Sequence, residues 1–321
     1  MALLTRREAL TAGATLLAAG LPAIPAYADR VQKCGGRRIA YREYGDPRGQ
    51  LVFYFHGTPG SRLEAALIGG DACAAGIRLI SIDRPGLGCS SHYECRRILD
   101  WPCDVERLAA SLGYADAPFG IIGLSGGAPY AAACALRFPQ RLTHVAIVSG
   151  HAPMCAPCVC PGNQDKLIEL IARREHLGKT AFKLIDRKLD RKPDKVVDMV
   201  TKNWTASDKK LVLCNSRRYQ QLVANLDEAG RCGPAGIVTD IRLLACPWGF
   251  ALCQVQGVGV SIWQGGCDRI VTPSMGRYFH RQIAGSELIQ NPRAGHVTML
   301  KWHIRDIFSR FGTEAAMPTP S

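Results

Sequence analysis

Short, predominantly apolar runs recur along this chain, with helix-like segments between them. Residues 51–55 (LVFYF), 78–82 (RLISI), 119–122 (FGII), 145–148 (VAIV) and 260–263 (VSIW) have this character. Strands buried on both faces read this way, because neither face meets water. Residues 38–44 (RIAYREY) alternate instead and predict an edge strand, and Leu288-Ile289 predicts a last short strand. Residues 63–75, 101–112, 128–138 and 274–284 have helix-like patterns. Alternating strands and helices imply an α/β fold, a mostly parallel sheet with helices on both faces. Such a sheet places its ligand sites at the carboxyl ends of the strands.

The alternation breaks between about residues 155 and 247. LIELIARREHL, AFKLIDRKL, KVVDMVTKNW and RRYQQLVANL carry apolar residues at three- and four-residue steps, so a helical cap insertion is expected there. The tail at residues 312–321 (GTEAAMPTPS) is expected to be disordered.

Gly123-Leu124-Ser125-Gly126-Gly127 is a G-x-S-x-G motif between the apolar run FGII and an Ala-rich helical segment. Small residues at 123 and 127 let the chain turn sharply from strand to helix, exposing the Ser125 hydroxyl at a helix N-terminus. The Gly126 amide then points toward a reacting carbonyl. A serine nucleophile needs a base, and in this architecture an acid and then a His follow it in the chain. His144, His151, His176, His280, His296 and His303 all lie downstream. His296 lies in Ala294-Gly295-His296-Val297, a loop between the last expected strand and a terminal helix. His144 and His280 fall in strand-start and helix contexts that suit packed or solvated roles, and His151 and His303 are minor competitors. Asp268 lies just past residues 260–263 in a Gly-rich turn, where the acid belongs. Asp83 also follows a strand, but it precedes Ser125 and reads as turn chemistry. Residues 51–55 run into His56-Gly57-Thr58-Pro59-Gly60. Thr58 can present an amide there as a second oxyanion donor, whereas Pro59 has none.

FHGTPGSR (55–62), DRPGLGCS (83–90), GLSGGAPYAAACA (123–135), GGCDRIVTP (265–273) and AGHVTML (294–300) occur in this order. With them the chain resembles the α/β-hydrolase-fold serine hydrolases of the capped, esterase-like type, over about residues 36–310. GPAGIVTDIRLLACPWGF (233–250) is similar to the end of a cap in that group. The resemblance implies catalysis by Ser125 as nucleophile, His296 as general base and then acid, and Asp268 orienting His296. It implies the amides of Thr58 and Gly126 as the oxyanion hole, a small-molecule acyl substrate, and neither metal nor organic cofactor. Relatives with an Asp nucleophile perform dehalogenation or epoxide opening, and Ser125 argues against both. HGTPG is similar to the HGGPG of proline iminopeptidases, which makes amide or peptide hydrolysis the alternative. Those enzymes typically carry Trp after the nucleophile, where this chain has Gly126. A non-catalytic ligand-binding protein on the same fold is the third reading, and the intact Ser125, Asp268 and His296 set argues against it.

The N-terminus combines Arg6-Arg7, a weakly apolar run and Ala26-Tyr27-Ala28, a small-x-small pattern. This layout predicts an export signal over residues 1–28, partly matching the twin-arginine type, cleaved near Ala28 to give a periplasmic or secreted protein. The formal net charge of the whole chain is +13. Residues 163–210 hold 13 Lys/Arg and 8 Asp/Glu, so part of the excess lies on the expected cap. Basic and acidic residues interleave there as on a solvated helix face, and no nucleic-acid partner is expected. A weak attraction to an anionic membrane surface fits better. The 14 cysteines include Cys155, Cys158 and Cys160, with His151 nearby, a set that suggests zinc. No second C-x-x-C supports that reading, and export leaves disulfides open. Cys73 and Cys134 sit among alanines and are expected to be small core residues.

Overall fold

A computed structural model describes residues 29–312; the expected signal and nearly all of the expected tail lie outside them. The strands are β1 (Asp29–Cys34), β2 (Arg37–Gly45), β3 (Gln50–Phe55), β4 (Ile77–Ile82), β5 (Phe119–Leu124), β6 (Leu142–Val148), β7 (Val260–Gly265) and β8 (Glu287–Asn291). They form an eight-stranded sheet in the order β1-β2-β4-β3-β5-β6-β7-β8. Strand β2 pairs antiparallel with β1 and with β4. Every pairing from β4 through β8 is parallel.

The apolar runs are the central strands. Successive side chains of a strand point to opposite faces, so each run feeds two cores. Leu51, Phe53 and Phe55 of β3 enter one core, and Val52 and Tyr54 enter the other. On the first face lie α2 (Trp101–Ser111), α3 (Ala128–Arg137) and α10 (Pro273–Gln282). On the second lie α1 (Gly69–Ala74), α11 (His296–Trp302) and α12 (Ile304–Ser309). Between β6 and β7 the chain builds a helical cap: α4 (Asp165–Arg173), α5 (Glu175–Arg191), α6 (Pro193–Val200), α7 (Ala206–Leu213), α8 (Ser216–Gly230) and α9 (Pro234–Ala245).

Three expectations are corrected. The alternating run at 38–44 is not an edge strand: β1 covers it, and β1 escaped notice because DRVQKC is mostly exposed and polar. The helix expected over residues 63–75 is a 3-10 turn at Glu64–Leu67 followed by α1, which opens on Gly69-Gly70. Cys134 is buried as expected, but Cys73 is exposed. All 14 cysteines are free thiols in this structure.

Candidate active site

Ser125 stands directly after β5 with φ of 52°. This left-handed geometry costs a non-glycine residue about 1–3 kcal/mol, and such strain clusters at functional sites. The flanking glycines make the turn sterically feasible. A methyl group on Gly123 would lie 2.8 Å from the Ala131 Cβ, and one on Gly127 would lie 2.2 Å from the Phe55 carbonyl oxygen. Helix α3 thus starts immediately beside β3 and β5.

Asp268 lies three residues past β7 and is buried. Its Oδ1 accepts the amides of Ile270 at 2.8 Å and Val271 at 3.0 Å. Its Oδ2 lies 2.7 Å from Nδ1 of His296, the first residue of α11. Burial alone would lower the His296 pKa. The Asp268 charge and hydrogen bond outweigh it, helped by Asp208 and Glu64, and raise that pKa above 6.5. Ser125 and His296 line one cavity of about 110 Å3 together with Gly57, Thr58, Glu64 and Gly126. Among the described residues no hydrogen bond joins the Ser125 hydroxyl to His296, and such contacts commonly tighten only once substrate is bound.

Thr58 and Gly126 are in close contact. A methyl group on Gly126 would fall 2.4 Å from Thr58 Oγ1 and 3.3 Å from the Thr58 amide nitrogen. The Thr58 hydroxyl donates to Asp240 Oδ2 at 2.6 Å and accepts from Arg84 Nη2 at 2.9 Å. Its side chain is thereby committed away from the cavity. Its amide has no protein acceptor among the described residues, so it is available to an oxyanion.

Strands β3, β5, β7 and β8 therefore deliver Thr58, Ser125, Asp268 and His296 to one edge of the sheet, as a parallel α/β sheet predicts. The sequence matches the alpha/beta hydrolase family over residues 52–303. The chain belongs to that family. Among solved structures, an enol-lactonase from Burkholderia xenovorans aligns with a TM-score of 0.64 at 18% identity, covering 88% of this chain and 99% of that one. A thermophilic esterase from Thermogutta terrifontis aligns with a TM-score of 0.61 at 19% identity, over 89% and 98%. A bromoperoxidase from Bacillus anthracis gives 0.63 at 18% identity, over 88% and 99%. No protein of curated function matches the sequence.

In this alpha/beta hydrolase the cap holds the site loops through buried side chains that sequence reasoning missed. Asp240 of α9 is fully buried and accepts from Arg84, Arg96, the Tyr130 hydroxyl and Thr58. Burial would raise its pKa, but the two guanidinium groups outweigh that and hold it well below the usual carboxylate range. Asn225 of α8 accepts the Ser61 amide at 2.9 Å, and Glu228 of α8 pairs with Arg62 at 2.7 Å. Asp208 of α7 is also buried. It accepts the amides of His296 at 2.9 Å, Val297 at 3.0 Å and Thr298 at 2.8 Å, and the Thr298 hydroxyl at 2.8 Å. It thus caps the N-terminus of the helix that begins with His296, where a negative charge is favourable. A methyl group on Gly295 would lie 2.0 Å from Asp208 Oδ2, so glycine permits the approach.

Of the competing residues, His151 does reach the cavity. Its ring nitrogens face the Ala152 carbonyl at 2.9 Å and Asp165 at 3.3 Å. His144 packs in β6 with Nε2 2.7 Å from the Ser261 hydroxyl, and His280 and His303 have Ser286 and Asp306 as partners. Asp83 does organise its turn, accepting the Cys89 amide, but it is also the fully buried ion-pair partner of Arg62. Cys155, Cys158 and Cys160 are exposed, and no group able to hold a metal ion is found among the described residues. Among them, too, no helix is long and apolar enough to cross a membrane.

Two further residues stand at the site, Glu64, which carries no motif signal, and His56, which lies within FHGTPGSR. Glu64 accepts the Gly57 amide at 2.7 Å and the Tyr54 hydroxyl at 3.0 Å beside the cavity. Burial raises its pKa above the ordinary value despite those bonds. His56 is fully buried, and burial drives its pKa well below 6.5, so it is neutral. Its Nδ1 lies 2.7 Å from the Gly57 carbonyl oxygen, which assigns the proton to that nitrogen.

Proposed function

We propose that the chain is a serine hydrolase that cleaves a carboxylic ester through an acyl-enzyme. Ser125 attacks the acyl carbonyl while His296 takes its proton, and Asp268 holds the imidazole in orientation. The Thr58 and Gly126 amides stabilise the tetrahedral oxyanion, and a single such donor is worth about 10²–10³ in turnover. His296 then protonates the departing alcohol. Water, deprotonated by His296, attacks the acyl-enzyme, and collapse of the second tetrahedral species returns the proton to Ser125. The observation that carries this reading is one cavity shared by a strained Ser125 and by His296, whose Nδ1 is bound to Asp268.

Nothing in the mechanism calls for a metal or an organic cofactor. Export of the mature chain after cleavage near Ala28 is also part of the proposal, on the three-part layout of residues 1–28. In the test, Ser125→Ala should lose turnover of nitrophenyl acetate and labelling by a fluorophosphonate while keeping the wild-type circular dichroism spectrum. Undiminished turnover in that variant would sink the assignment.

A further inference from the structure

The catalytic cavity does not end at Ser125. Pro59, Gln164, Val200 and Leu226 line it, and the same four residues line a second cavity of about 270 Å3 within the cap. The second cavity lies among α4, α5, α6, α8 and α9. Phe182, Ile185, Leu189, Val196, Met199 and Ile237 are among its apolar lining, with Asp186 and Lys202 as its charged members. The chamber reaches the surface. Leu167 and Met199 line it and are 57% and 46% exposed.

More apolar surface lies on the same helices. Leu170 on α4 and Leu177 and Leu184 on α5 are exposed as well. Of the eight large apolar side chains exposed among the described residues, five belong to α4, α5 and α6. Scattered exposed apolar residues need no explanation, but a concentration of them on the helices that wall a cavity suits a ligand entrance. A cap that only sealed the site would turn these side chains inward, because each exposed leucine forfeits about 1.5–3 kcal/mol of burial.

We propose that this chamber takes the alkyl chain of a medium- to long-chain ester, which enters past Leu167 and Met199 and brings its scissile carbonyl to Ser125. The inference rests on the serine-esterase reading and specifies its substrate class. A small ester fills only the catalytic cavity. A longer chain leaves water for an apolar wall, and each methylene buried is worth about fourfold in kcat/KM.

Turnover of nitrophenyl esters from acetyl to dodecanoyl provides the first test. Specificity should climb by up to about fourfold per methylene until the chamber is full. Val196→Trp fills the chamber and should lower the octanoyl-to-butanoyl ratio of kcat/KM at least about tenfold, the worth of two methylenes. Phe182→Ala enlarges it and should move the optimum to longer chains. A profile flat or falling beyond butanoyl, or one optimum shared by both variants, overturns the proposal. Calorimetry with butanoate, octanoate and dodecanoate on Ser125→Ala reads the chamber without turnover. Affinity should rise with length, with a negative heat-capacity change. Binding indifferent to length overturns the proposal. Binding that rises with length, in a protein whose wild type hydrolyses no ester, keeps the chamber and removes the esterase reading.

Discussion

Asp208 lies in the cap, 88 residues from His296 in sequence, and holds the first turn of the His296 helix. Asp208→Ala would leave four amides (Thr205, His296, Val297 and Thr298) and two hydroxyls (Thr205 and Thr298) without this acceptor. A lost N-cap costs about 1 kcal/mol, and a stranded buried donor about 1–3 kcal/mol. Water entering the vacated space offsets part of this, so a loss of about 3 kcal/mol is expected. In a domain of this size that lowers Tm by about 5–10 °C.

The catalytic effect is separable from the loss of stability. Displacing a positioned base by about 1 Å can cost about 10²-fold, so kcat should fall by that order. KM should change little, because Asp208 does not line the cavity. Asp208→Asn keeps the shape and removes the charge that helps raise the His296 pKa. The acid limb of kcat/KM reports the free-enzyme base. In the proposed mechanism His296 acts as the base only when neutral, so lowering its pKa moves that limb to lower pH. Stopped-flow kinetics across pH on both variants, at a temperature where both are folded, provide the assay. Asp208→Asn with wild-type kcat and an unmoved acid limb would refute the argument that the cap positions the base.

Other perturbations read neighbouring parts of the site. Asp208 itself is held below its ordinary pKa: burial opposes, but bonds from Thr298 and Thr205 and the His296 charge prevail. Its stabilisation is therefore present above the ordinary aspartate pKa and lost as pH falls through the lowered one. Chemical denaturation of the wild type should show this acid-side loss, and Asp208→Asn should lack its share. Gly126→Ala drives a methyl group into Thr58 and should cut kcat by about 10²–10³ through the oxyanion donors, with Tm as the control for folding. Asp240→Ala strands the buried Arg84 and Arg96 guanidinium groups and should cost about 3–5 kcal/mol in a denaturant titration. A cost below about 1 kcal/mol would show that the cluster tolerates its loss.

Much of this molecule could be read from its sequence because the deciding constraints are local. The central strands declare themselves as apolar runs, since a strand buried on both faces has no polar position to spare. The turn at Ser125 is legible because its steric demands fall on neighbours two residues away, Gly123 and Gly127. Asp268 and His296, which the structure brings into contact, stand out in the sequence by their places after strands. Strand β1 was not legible, because an exposed, polar edge strand lacks the apolar run. Nor was the break between the 3-10 turn and α1, where the apolar pattern runs on through two glycines.

What only the tertiary structure decided is how the cap meets the core. Asp208 reaches the His296 helix, and Asp240 reaches Thr58 across 182 residues. The chamber in the cap is walled by five separate helices. A buried carboxylate finds its donors through the packing of distant segments, and a cavity is the space that packing leaves. Neither imposes a period or a spacing on the chain, so a single sequence carries no mark of them until it folds.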